Sequence, residues 1–166
     1  MRAAARTILT SPVHLLAFGF GLGLAPKAPG TFGTLLGLPL WWLLSGLNPY
    51  AYLAVTAALF AFGCWLCGES AKRLGEHDVP GIVFDEIVGF LVTAIPLLPA
   101  FGPMPFPMWA CLAAAFGVFR LFDIWKPWPI RRLDASVPGG FGIMLDDLAA
   151  GIYGAAVLTL ARLVSS

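Results

Sequence analysis

Charge is what this sequence has least of. Only 11% of its 166 residues are charged, ten Lys and Arg against nine Asp and Glu, while 59% are hydrophobic. With a mean hydropathy of +0.85, the chain lies well outside the range of soluble globular domains and reads as a membrane protein. About five or six short apolar segments fill this length, so residues 1–166 form one domain with no room for a separate soluble one. A net charge of +1 gives no basis for nucleic acid as a partner, and the placement of charge matters more than its sum.

Cysteine and histidine are also scarce. The three cysteines, Cys64, Cys67 and Cys111, are odd in number and lie in apolar runs, which argues against a disulfide framework. Cys64-Trp-Leu-Cys67 is a CxxC without a second pair to complete a zinc site, so packed or lipid-facing thiols are expected. Cys67 and Arg73 have the spacing of cysteine-dependent phosphatases. That chemistry needs a loop of backbone N–H groups after a strand, and this cysteine ends an apolar helix. Neither His14 nor His77 has a partner at metal-ligand spacing. There is no internal repeat or low-complexity tract.

What the chain does have is a series of apolar segments separated by polar turns. From Thr7 to Pro26 no residue is charged, but Pro12 leaves about a dozen apolar residues, too few for a span. A re-entrant or interfacial helix is expected there. The Met1 to Arg6 start imitates a signal peptide, yet Pro26 falls just after the would-be cleavage site and the segment runs on into a polar motif, so it reads as part of the fold. Spans are expected over residues 31–47 and 50–67, reversing at Asn48-Pro49, and over 82–100 and 108–126, reversing at the proline-rich stretch 101–107. Residues 148–164 make a last segment that just spans when tilted. Neither reversing turn holds a Lys or Arg, whereas the N-terminus, Lys27, Lys72-Arg73 and the block from Arg120 to Arg132 hold nine of the ten. The positive-inside rule puts those basic segments in the cytoplasm. The expected fold is an all-α, multi-pass membrane helix bundle with a short re-entrant or interfacial N-terminal helix.

Three polar clusters then share one face of the membrane: Pro26 to Thr31, Asp85-Glu86, and the stretch from Phe119 to Asp147 that contains Arg120, Asp123, Lys126 and Asp146-Asp147. Ionisable groups at the ends of apolar helices are costly unless they meet a partner or a ligand. Two carboxylate doublets, Asp85-Glu86 and Asp146-Asp147, suit Mg²⁺, which prefers hard oxygen. Lys27, Arg120 and Lys126 supply the opposite pole for a phosphate, and Gly139-Gly140 would let backbone N–H groups face an anion. Together these residues make a metal-dependent phosphoryl site. Blander readings stand beside it: Asp146-Asp147 as a cap on the last helix, Asp85-Glu86 as ion-pair partners of Lys72 or Arg73, Arg2, Arg131 and Arg132 as headgroup anchors, and Trp125 and Trp128 as aromatic belt.

Four motifs carry a resemblance: Gly23-Leu-Ala-Pro-Lys-Ala-Pro-Gly-Thr31, Ile82-Val-Phe-Asp-Glu-Ile-Val-Gly89, Phe119-Arg-Leu-Phe-Asp-Ile-Trp-Lys-Pro127 and Gly139-Gly-Phe-Gly-Ile-Met-Leu-Asp-Asp147. Over nearly its whole length the chain resembles the bacterial phosphatidylglycerophosphatase A family. The resemblance implies an integral inner-membrane enzyme that uses Mg²⁺ to remove the terminal phosphate of phosphatidylglycerophosphate. It carries over Lys27, Asp85, Glu86, Arg120, Asp123, Lys126, Asp146 and Asp147 as polar motif residues. Thr34, Val79 and Ala135 depart from the family's usual residues, which bears on contacts at the substrate's edge. The paired-Asp Gly-Ala-Arg pattern of the CDP-alcohol phosphotransferases is missing. On this reading Asp85, Glu86, Asp146 and Asp147 bind one or two Mg²⁺, and Asp123 or Glu86 acts as base toward an attacking water; an aspartyl-phosphate route is the mechanistic rival. A cation-coupled transporter, a lipid phosphatase for another headgroup and a non-catalytic assembly subunit are the functional alternatives.

Overall fold

A computed structural model describes residues 2–75 and 79–165, without the side chains of residues 2–4 and 134. His77 and the side chains of Arg2 and Asp134 lie outside the described residues. The described residues form eight α-helices, with 3₁₀ turns between α2 and α3 and between α5 and α6, and no strand. The helices are α1 (Arg2–Thr10), α2 (Pro12–Ala17), α3 (Pro29–Leu44), α4 (Pro49–Leu74), α5 (Phe84–Thr93), α6 (Met108–Trp125), α7 (Ile130–Ser136) and α8 (Gly139–Val164). Three of them, α4, α6 and α8, are long and apolar enough to cross a membrane. The chain is therefore an all-α membrane bundle.

Local chemistry explains most boundaries. Proline stands in the first turn of α2, α3 and α4, where its missing N–H costs nothing. Asn48 caps α4 by accepting a 2.9 Å hydrogen bond from the Ala51 N–H, and Gly75 ends it with a φ of 73°. The N-terminal segment is broken into α1, α2 and a 3₁₀ stretch, Gly19–Leu24, none long enough to span. It is pinned to the rest by a 2.8 Å hydrogen bond between His14 and Ser70 of α4 and by the Val83 N–H donating to the Ala17 carbonyl.

The expectation of a single span over residues 82–100 is corrected. Helix α5 has ten residues, about 15 Å, and ends at Thr93 because Pro96 and Pro99 cannot continue it; two 3₁₀ turns, Ile95–Leu97 and Pro99–Phe101, follow. From Ile87 to Thr93 every residue of α5 is buried. Its last carbonyls must be satisfied away from water, where each loose one costs several kcal/mol, on the order of a lost hydrogen bond. Tyr52 donates to the Leu91 carbonyl at 2.8 Å, and Trp41 to that of Ala94 at 3.1 Å. From the far end of α8, Arg162 donates to the Pro96 carbonyl at 2.7 Å and to those of Phe101 and Gly102.

The last helix also differs from expectation: α8 begins at Gly139 and not near residue 148. Gly140 lies against the backbone of α4 at Cys64 and Gly68, and a side chain there would have no room. Helix α8 packs backbone to backbone on α5. A Cβ on Gly89 would fall 2.6 Å from the Phe119 ring and 2.8 Å from the Asp147 carbonyl, and one on Gly151 would fall 2.6 Å from the Gly89 carbonyl. Gly151→Leu should therefore destabilise the folded protein by about 1–3 kcal/mol in a detergent unfolding titration, through overpacking alone. An unchanged midpoint would show that this close contact does not hold the two helices together.

Candidate active site

The starts of α3, α5 and α8 and the ends of α4 and α6 meet at one end of the bundle. Asp85 and Glu86 lie in the first turn of α5, where the helix dipole favours negative charge, and Asp85 accepts from the Glu86 N–H at 3.1 Å. Asp147 enters from α8. Asp85, Glu86 and Asp147 each offer a carboxylate oxygen, and these atoms lie within 4.8 Å of one another. At an effective dielectric of 20, two full charges at that distance repel by about 3.5 kcal/mol. Carboxylates held so close in an apolar bundle cannot all carry full charge at low cost, and a cation would offset that cost.

One protein cation is near. Arg120 of α6 pairs with Asp123 one turn along the same helix, and its Nη1 lies 3.8 Å from Glu86 Oε1. Asp123 also faces both Glu86 and Asp147, so the carboxylate that holds the guanidinium stands against the triad. Glu86 Oε2 and Arg120 Nε are buried without a hydrogen-bond partner. Such orphaned polar atoms beside a carboxylate triad fit a hard divalent cation together with an oxyanion, each supplying what the other side lacks.

The second basic centre is Lys126. It ends α6 in the left-handed conformation, φ 45° and ψ 61°, which costs a non-glycine residue about 1–2 kcal/mol. Its Nζ donates to Asp146 Oδ2 at 2.7 Å. These groups open into a cleft of about 420 Å³ whose walls include Asp85, Glu86, Asp123, Lys126, Asp146 and Asp147.

The family model for phosphatidylglycerophosphatase A matches residues 15–162. The chain belongs to that family. It is 43% identical over 156 residues to the phosphatidylglycerophosphatase A of Escherichia coli (strain K12), covering 94% of this chain and 87% of that protein. With the Haemophilus influenzae (strain Rd) protein of the same name the identity is 46% over 153 residues, 90% of this chain and 88% of the relative. A Bacteroides thetaiotaomicron protein named putative phosphatidylinositol-3-phosphatase is 39% identical over 155 residues, 90% of this chain and 93% of that protein. No solved structure matches. The chain is thus a lipid phosphatase of the phosphatidylglycerophosphatase A family.

Of the family motif residues, Asp85, Glu86, Asp147, Asp123 and Arg120 converge. Asp146 is not one of the three carboxylates within 4.8 Å and bonds Lys126 instead, because neighbouring residues on a helix diverge by about 100°, although its charge still reaches Asp85 and Asp147. Neither member of that doublet caps α8, since both lie beyond its second turn and are buried, 8% and 3% exposed. Glu86 pairs with Arg120 across helices, while Arg73 pairs with Glu69, so the reading of Asp85-Glu86 as partners of Arg73 is not what forms. Lys27 is exposed in the loop before α3 and is not among the cleft walls. Gly139 lines the cleft with a φ of 76°, whereas Gly140 is turned into the contact with α4. Sequence reasoning gave no role to the apolar walls: Ile82 and Ile143 lie inside the quoted motifs, and Val137 carries no distinguishing signal. It did single out Val79, which lines the cleft.

Gly30 belongs to the Pro26 to Thr31 cluster and is buried at the start of α3. Its Cα faces Glu86 Oε1 and Arg120 Nη1, leaving no space for a methyl group. Gly30→Ala should therefore displace that ion pair and lower phosphatase activity at least about tenfold with the thermal midpoint little changed, since one tenfold step is about 1.4 kcal/mol of barrier. Unchanged turnover in that variant would mean that the Glu86–Arg120 arrangement is not needed.

Proposed function

We propose that this protein hydrolyses the terminal phosphomonoester of phosphatidylglycerophosphate, giving phosphatidylglycerol and phosphate, and that it depends on Mg²⁺. The observation that carries the reading is the convergence of Asp85, Glu86 and Asp147 from two helices beside Arg120. Those three carboxylates would hold the ion. Bound there, Mg²⁺ would supply Lewis acidity toward a phosphoryl oxygen and toward water.

The remaining chemistry belongs to the chain's own side chains. Arg120, held by Asp123, grips the equatorial oxygens of the phosphate and stabilises charge that develops on them. Lys126 adds a second positive pole to the cleft. The unpartnered Glu86 Oε2 takes a proton from the attacking water as its oxygen joins phosphorus in line with the leaving group. The phosphorus–oxygen bond to glycerol then breaks on the opposite side, and the glycerol oxygen takes a proton from solvent while Glu86 releases its own to solvent. Gly139, at the cleft wall, leaves the backbone open to the anion.

The lipid's acyl chains would stay among the helices and surrounding membrane lipids while its head enters from the water. Basic residues concentrate toward this end of the bundle, Arg162 being at the other. The positive-inside rule accordingly places the site on the cytoplasmic side of the bacterial inner membrane. A second reading, another phosphorylated lipid headgroup, is favoured by the name of the Bacteroides relative.

The test is phosphate release by purified protein from phosphatidylglycerophosphate and from phosphatidylinositol 3-phosphate, with Mg²⁺ or with EDTA. Turnover of the first lipid, its loss in EDTA, and a fall on the order of 100-fold or more in Asp147→Asn are expected, since losing such a group removes about 3 kcal/mol of transition-state stabilisation. Activity that survives both EDTA and Asp147→Asn would sink the metal-carboxylate reading. Preference for the inositol lipid would move the assignment to the second headgroup.

A further inference from the structure

Adjacent acids in the third turn of α8 invite a single role, yet the structure sends them to different partners. Asp147 joins Asp85 and Glu86, whereas Asp146 bonds Lys126 Nζ at 2.7 Å. Lys126 reaches Asp146 from the cap just after α6, where the chain turns left-handed with a φ of 45° before Pro127. A strained backbone at a charged cleft residue marks a position whose direction matters more than its comfort. Glycine or asparagine would make that turn more easily, but neither could send an ammonium across to α8. Both members of the pair line the cleft, and the Asp146 side chain is 11% exposed against 29% for Lys126, so the carboxylate sits behind and the ammonium in front.

From this geometry we infer that Asp146 is not a metal ligand but a positioning residue that fixes the Lys126 ammonium toward the substrate's phosphate. The inference rests on the proposed phosphatase reading and divides its acids by function. Asp85, Glu86 and Asp147 serve the cation; Asp146 serves substrate binding through Lys126. A lysine is a flexible point charge on a four-carbon stem, and anchoring it removes rotamer freedom before substrate arrives. The kinetic consequence falls on KM more than on kcat.

Mn²⁺ binding followed by electron paramagnetic resonance, alongside steady-state kinetics, separates the roles. The proteins compared are the purified parent, Asp146→Asn, Asp146→Glu, Lys126→Met, Asp147→Asn and the Asp146→Asn/Lys126→Met double variant. Asp146→Asn should keep Mn²⁺ affinity within about threefold of the parent while KM rises about tenfold or more, and Asp147→Asn should lose at least about tenfold in Mn²⁺ affinity. Because Asp146 acts through Lys126, the double variant should be no more than about threefold worse in kcat/KM than Lys126→Met alone. Asp146→Glu, which restores a carboxylate, should bring KM part of the way back toward the parent value. Loss of Mn²⁺ by Asp146→Asn to the same extent as by Asp147→Asn, or single losses that multiply in the double variant, would overturn the inference. Should Asp146→Asn not fold, Lys126→Met with unaltered Mn²⁺ affinity and a raised KM, together with KM recovery in Asp146→Glu relative to it, supports the inference, and a raised KM absent from Lys126→Met overturns it. Mn²⁺ affinity unaffected by Asp147→Asn would instead count against the triad, which is the failure of the underlying reading and not of this one.

Discussion

The structure depends on mutual repulsion held in check: three carboxylates from two helices, brought within 4.8 Å by helices that touch backbone to backbone. Among the described residues, Arg120 pairs with Glu86 of the triad and with Asp123 beside it. What forces them together is packing. With glycine at 89 and 151, α5 and α8 approach closely enough that a methyl group on either would collide, and the contact lies just behind the acids.

Helix α5 is the less usual partner. At ten residues it cannot cross a bilayer, and it is buried almost throughout. Interrupted helices are tolerated at membrane depth only where the freed backbone groups find other partners. Here Tyr52, Trp41 and Arg162 supply the donors at its C-terminal end. That arrangement frees the other end for function: the N-terminus, with its partial positive charge, carries the acidic doublet to the cleft. Arg162 thus acts at the opposite side of the bundle from the site, yet holds the turns that end the helix on which Asp85 and Glu86 are mounted.

Much of this was legible in the sequence. Scarcity of charge and the apolar runs gave the all-α membrane bundle, and the basic bias of some turns indicated that Asp85-Glu86 and Asp146-Asp147 share a side. The length of α5 was written in Pro96 and Pro99, but an apolar run looks continuous unless proline is weighed as a stop. The start of α8 was harder. Gly139, Gly140 and Gly142 have weak helix propensity and read as a loop, and only the fit of Gly140 against α4 makes the helical conformation favourable there. Nor could the doublet be divided from sequence, because which of two adjacent residues meets Asp85 and Glu86 depends on the rotation of α8 about its axis. Lys27 illustrates the converse: a motif position whose charge suggested the site, and whose fold leaves it outside the cleft walls.

The central claim is that Asp85, Glu86 and Asp147 form one cation site. Anomalous diffraction from crystals of the protein grown with Mn²⁺ tests it most directly. The account predicts a peak in contact with carboxylate oxygens of all three residues and not with Asp146. A well-occupied peak elsewhere in the protein, or none between α5 and α8 at millimolar Mn²⁺, would contradict it.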